Sequence, residues 1–188
     1  MKQVINNLNV NKSIMIVMFV MLWLIPGIAL SQVKDHCGCF ITDANTIGLW
    51  HFDDPLDPGY DSSGHGHHGI VYGTAFATGI CGGALKFDGA GSVNDYVKIP
   101  FHADFLSEQM TFEALVYITD DIASPSQLII DMYGDAGGPG RQLALETGLF
   151  PYGLCDTPGA DPHYECISPD AVPIGEWVNL ALVFDVAG

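Results

Sequence analysis

The run Met110-Thr111-Phe112-Glu113-Ala114-Leu115-Val116-Tyr117-Ile118 repeats with period two. Met110, Phe112, Ala114, Val116 and Ile118 fall on one side of an extended chain, and Thr111, Glu113, Leu115 and Tyr117 on the other. Successive side chains of a strand point to opposite faces, so the first set predicts a strand laid on a core. Outward from it, similar short runs recur between turn residues, at 48–53, 69–73, 84–87, 95–100, 127–133, 141–147 and 177–184. The last is almost continuously apolar, which predicts a central strand with neighbours on both sides. Eight strands with turn signals between them, 22 glycines, 11 prolines and no long amphipathic segment predict an all-β antiparallel sandwich.

The first residues read differently. Lys2 and Lys12 flank a polar opening, an apolar run follows from Ile14 to Ile25, and Ala29-Leu30-Ser31 offers small residues two apart. Positive, apolar, then small is the order of a secretory signal peptide, here 1–31. The run is shorter than the ~20 residues a membrane span needs, so no stable membrane insertion is expected once the leader is cleaved; the alternative is an uncleaved N-terminal anchor, with the span stretched to Leu30. A linker is expected at 32–46, followed by one domain at 47–188. All 22 acids lie beyond Ser31, facing only four of the six bases. That surplus repels a phosphate backbone and excludes nucleic acid as a partner. It suits solubility, or the holding of hard cations such as Ca²⁺.

Export implies an oxidising compartment in which cysteines pair. Cys155 and Cys166 bracket a Pro/Gly/Asp-rich stretch and are expected to close it. Cys81 is expected to pair with Cys37 or Cys39, tying the N-terminal segment to the domain and leaving one cysteine over.

Six motifs stand in order along the chain: Gly48-Leu49-Trp50-His51-Phe52-Asp53, Asp61-Ser62-Ser63-Gly64-His65-Gly66-His67-His68-Gly69, Gly82-Gly83-Ala84-Leu85-Lys86-Phe87-Asp88-Gly89, Asp95-Tyr96-Val97-Lys98-Ile99-Pro100, Met110-Thr111-Phe112-Glu113-Ala114-Leu115-Val116 and Gly175-Glu176-Trp177-Val178-Asn179-Leu180-Ala181-Leu182-Val183-Phe184-Asp185. Together, from about Thr46 onward, they resemble the laminin-G-like, concanavalin-A-like lectin/glucanase superfamily. The resemblance implies a jelly roll whose last strands lie beyond Gly188. It also implies a secreted or cell-surface module that binds glycan or an extracellular protein. The alternatives are a fragment of a glycan-degrading enzyme with its catalytic residues downstream, and a purely structural adhesion domain.

The site residues follow from these motifs. Relatives carry a structural calcium near the 61–69 turn, so Asp61, Asp53, Gly64 and His67 are the expected ligands, His65 and His67 standing where the family has Asn. Histidine also suits turns because it tolerates left-handed backbone. His65, His67 and His68, with His51 nearby, are dense enough to invite a transition metal instead, although their spacing matches no standard zinc pattern. Tyr133, Tyr152 and Tyr164 are the expected sugar-stacking rings, Tyr152 and Tyr164 on an edge stiffened by Cys155 and Cys166. Glycosidase chemistry needs two carboxylates; Glu108 and Glu113 lack the required spacing, and no Gly-x-Ser-x-Gly elbow occurs. Binding rather than catalysis is the expectation.

Overall fold

The computed structural model of the chain describes residues 14–23, 35, 38–87, 95–120, 127–132, 140–155 and 164–185. Tyr133 and Cys37 lie outside them. All the sheets are antiparallel, and the described residues contain no helix beyond one 3₁₀ turn, Ala103–Leu106. The strands are β1 (Ile14–Trp23), β2 (Thr46–Trp50), β3 (Ile70–Tyr72), β4 (Ala75–Gly79), β5 (Gly82–Phe87), β6 (Tyr96–Lys98), β7 (Gln109–Ile118), β8 (Gln127–Asp131), β9 (Arg141–Leu145), β10 (Pro151–Cys155), β11 (Tyr164–Ile167) and β12 (Trp177–Asp185). One sheet runs β12-β7-β1-β5-β4 with β2 also on β1; a second runs β11-β10-β9-β8; β3 and β6 form a small third.

The eight expected strands are all present, and the period-two reading of β7 holds. Met110, Phe112, Ala114, Val116 and Ile118 are buried in one cluster with Leu85 and Phe87 of β5, Leu180 and Phe184 of β12, Ile129 and Ile130 of β8, and Leu143 and Leu145 of β9. The first and second sheets therefore share one interior. Each Leu, Ile or Phe sealed there contributes about 1.5–3 kcal/mol relative to exposure. The opposite face of the first sheet carries a second, smaller cluster of Phe40, Leu49, Ala84 and Leu115, with Trp177 against it.

Two expectations change, and residues of the N-terminal segment take part in the fold. The apolar run read as part of a leader contains β1, an interior strand paired with β7 from Ile14↔Ile118 to Trp23↔Met110 and with β5 and β2 on its other edge. A short run rich in Ile, Val, Met and Phe has the composition of a leader and of a buried strand alike, so periodicity cannot separate them. The segment expected as a linker is packed at Phe40, which is fully buried. Its neighbour Cys39, rather than Cys37, bonds to Cys81. No bond joins Cys155 to Cys166: the register of β10 and β11 sets Cys166 opposite Gly153 and Cys155 opposite Tyr164. The two cysteines are thus diagonal neighbours, ~7–8 Å apart in a regular pair, beyond the reach of a disulfide. Finally, β12 ends its sheet instead of lying at its centre, and its residues alternate between buried Leu180 and Phe184 and exposed Ala181 and Val183.

One carboxyl on the second sheet makes stability pH-dependent. Burial pushes the pKa of Asp131 on β8 up to about 6, against a hydrogen bond from Gln142 Nε2 (3.1 Å) that favours the charged form. A raised acid holds its proton more tightly folded than unfolded, so its contribution is complete below the unfolded value near 3.8 and is lost as pH rises through 6. Asp131→Asn, which keeps the acceptor for Gln142, is expected to stabilise the fold at pH 7 by roughly 2 kcal/mol and to flatten the dependence between pH 4 and 6. Urea unfolding across that range checks it; equal stabilities at pH 7 would refute it.

Candidate functional site

The 59–69 loop is built around one buried carboxylate. Asp61 Oδ1 accepts from the Leu49 and Ser63 amides, both at 2.9 Å; Oδ2 accepts from the His67 amide at 2.9 Å and lies 2.8 Å from Ser63 Oγ. Further bonds stitch the loop to β2: Ser62 N–H donates to the Leu49 carbonyl, and the Trp50 indole N–H to that of His67. Gly69 N–H closes the loop onto the Gly59 carbonyl at 2.7 Å, and a Cβ on Gly59 would lie 1.9 Å from the Gly69 carbonyl oxygen, so only glycine fits there. Burial alone pushes the Asp61 carboxyl up, but the bonds from Leu49, Ser63 and His67 outweigh it and hold the group below its ordinary range.

These contacts already engage the expected calcium ligands. Both Asp61 oxygens and the His67 carbonyl are spent on main-chain and indole donors, and Asp53 Oδ1 accepts from Gly83 N–H at 2.7 Å. Gly64 lies at a turn with φ 91°. The left-handed positions of the loop are Gly64 and Gly66, not the histidines, so the glycines meet the turn's backbone demand and leave the imidazoles to be used as side chains.

The loop has two working flanks. On one, His51, Phe52, Asp53, Asp54, Asp57, Tyr60 and Ser62 line an open cleft of about 290 Å³. Tyr60 is 53% exposed, with its ring 4.9 Å from that of His68. The cleft is positioned by a close approach of Gly83 to the Phe52 carbonyl, where a Cβ would sit 2.2 Å away. Phe52 holds a left-handed φ of 58° while fully buried, an unusual state for a bulky residue that the surrounding packing must impose.

The other flank gathers His65, His67, His102 and Asp104. Asp104 Oδ2 is 3.1 Å from His67 Nε2, 3.1 Å from His102 Nδ1 and 4.0 Å from His65 Nδ1. The His65 and His67 rings are stacked nearly parallel, 5.9 Å apart. His67 is buried between the rings of His102 and Phe105. Burial pushes its pKa down, opposed by the Asp104 hydrogen bond, with His102 adding a further downward push. His65, His67 and Asp104 offer ligand atoms within 4.8 Å of one another. His68 and His51 stand apart from this group: His68 Nδ1 accepts from the Asp61 amide, and His51 Nε2 donates to the Phe40 carbonyl.

The expected aromatic edge does not form as a single platform. Tyr152 pairs with Ile167 and Tyr164 with Cys155, so the two tyrosines lie on opposite faces of the β10–β11 hairpin. Burial and the neighbouring Glu165 push the Tyr152 hydroxyl up to about 12. The sequence reading passed over Tyr60, Asp54, Asp57, His102 and Asp104. One signal was available: His102-Ala103-Asp104 repeats the two-apart spacing of His65-Gly66-His67.

Comparison of the chain with models of known families, with curated proteins and with solved structures gives no match.

Proposed function

We propose that this chain is an extracellular binding module of the laminin-G-like, concanavalin-A-like jelly-roll type, that it binds a polyhydroxylated ligand of the glycan class, and that it is not an enzyme. The observation that carries the reading is the cleft between Phe52 and Ser62, held rigid by the Asp61 bonds. It combines an exposed aromatic face at Tyr60 with three carboxylates, Asp53, Asp54 and Asp57. A flat ring takes sugar C–H groups, and carboxylates accept from hydroxyls, so the pair recognises a carbohydrate surface without any reacting group. Asp53 Oδ1 is committed to Gly83, which leaves Oδ2 for a hydroxyl. The Cys39–Cys81 bond supports export. Among the described residues no helix is long and apolar enough to cross a membrane. The acid-lined cleft is also the place where calcium would assist the ligand.

A glycan array probed with and without Ca²⁺ tests this reading. A defined set of bound glycans is expected, and Tyr60→Ala should weaken each by about tenfold, the loss of ~1.4 kcal/mol. A blank array in both conditions, or binding indifferent to Tyr60→Ala, overturns it.

A further inference from the structure

We propose that His65, His67 and Asp104 form a transition-metal site of the zinc class, with its remaining position open to a neighbouring cleft. This site lies on the other flank of the loop and does not depend on the glycan reading.

Zinc bonds to imidazole nitrogen and carboxylate oxygen of 2.0–2.2 Å in a tetrahedron place ligand atoms about 3.3 Å apart. Asp104 Oδ2 stands 3.1 Å from His67 Nε2 and 4.0 Å from His65 Nδ1, and all three atoms lie within 4.8 Å of one another. Those separations bracket the tetrahedral edge, so small side-chain rotations bring all three into range.

The ligands are also pre-organised. His67 is fixed at its amide by Asp61, at its carbonyl by the Trp50 indole, and at its ring by Phe105 and His102. The amide of His65 is held by Ser63 Oγ at 3.2 Å. Asp104 is carried by the 3₁₀ turn Ala103–Leu106, which starts directly after His102. The ligands come from two segments 37 residues apart, so the main chain orders the cluster before any ion arrives.

His102 falls outside the group of three but keeps its Nδ1 3.1 Å from Asp104 Oδ2. It therefore acts as the partner that orients the carboxylate, the role outer groups take around bound metals. Two imidazoles and a carboxylate suit zinc and its neighbours better than Ca²⁺, which takes oxygen ligands almost exclusively. His65 and Asp104 also line a cleft of about 260 Å³ with Ala44, Asn45, Thr46 and Ile47. With three protein ligands, the fourth position faces that space and admits water or an oxygen-bearing ligand.

The test is calorimetric titration of Zn²⁺ into the metal-stripped full chain, repeated with Co²⁺ followed by visible absorption. One zinc per chain is expected. His65→Asn and Asp104→Asn, both at exposed side chains outside the core, should each weaken it by about 100-fold or more, and His102→Asn by about 10-fold, the lower end for an orienting partner. Cobalt should give the visible bands of a tetrahedral nitrogen–oxygen site. Zinc affinity unchanged in both His65→Asn and Asp104→Asn overturns the proposal. So does a thiolate-to-cobalt charge-transfer band, which would place the ion on a cysteine instead. Because these substitutions spare Asp61 and the core, circular dichroism of each variant separates metal loss from unfolding.

Discussion

Replacing Cys39 and Cys81 together by serine is expected to cost the fold about 4 kcal/mol, the chain-entropy value for a closed loop of this length. The bond spans 42 residues of sequence and encloses β2, β3, β4 and the whole Asp61 loop. Unfolded and oxidised, the chain loses the freedom of that entire segment; unfolded and reduced, it regains it. The folded side adds to the effect. Phe40, beside Cys39, is fully buried with Leu49, Ala84 and Leu115, and the disulfide pins that residue onto the outer face of the first sheet. Urea unfolding of the double variant should show the midpoint falling and the slope rising, because the reduced unfolded chain is more expanded and exposes more surface. A difference under about 1 kcal/mol would mean that the loop is already ordered in the unfolded chain, and the chain-entropy account would fail.

Asp61→Asn is expected to cost about 3 kcal/mol, close behind the disulfide, since hydrogen bonds to a charged acceptor contribute ~1.5–3 kcal/mol each and are not additive. Asparagine preserves shape but turns one acceptor into a donor. That donor must face either the Leu49 and Ser63 amides or the His67 amide, leaving buried N–H groups unmatched. The pH dependence follows from the direction of the shift. A carboxyl held below its ordinary pKa contributes stability that is complete above the unfolded value near 3.8 and is lost as pH falls through the lower folded value. The gap between wild type and Asp61→Asn should therefore be full at pH 7 and shrink in strongly acidic solution. A gap that is constant across the acid range would show that the charge on Asp61 plays no part.

Much of the scaffold was legible because period-two patterning is a local property. Met110 to Ile118 announced its buried face by alternation alone, and that face is the one the second sheet covers. β10 and β11 were hidden because Pro151 and Gly153 read as turn residues, although a proline at a strand's first position and a glycine beneath Leu182 are both tolerated in a sheet. β1 was hidden because its composition suits a leader and a strand alike. The site was legible only in part. Asp61 stood out as the acid of a tight turn, but its role as an acceptor of main-chain donors depends on Leu49 lying 12 residues away. The histidine cluster was visible at 65–68, yet the carboxylate that completes it lies 37 residues further along. Local spacing cannot reveal a partner that only the 3₁₀ turn at Ala103–Leu106 brings into place.

The account rests on a loop that is rigid before it meets any ligand, and amide hydrogen exchange measures this most directly. The amides of Leu49, Ser62, Ser63, His67 and Gly69 all donate within the loop and to its anchor on β2. They should exchange as slowly as those of β7, opening only with global unfolding, and all should lose protection together in Asp61→Asn. Exchange of these five amides at the rate of an ordinary surface loop, while β7 stays protected, would contradict it.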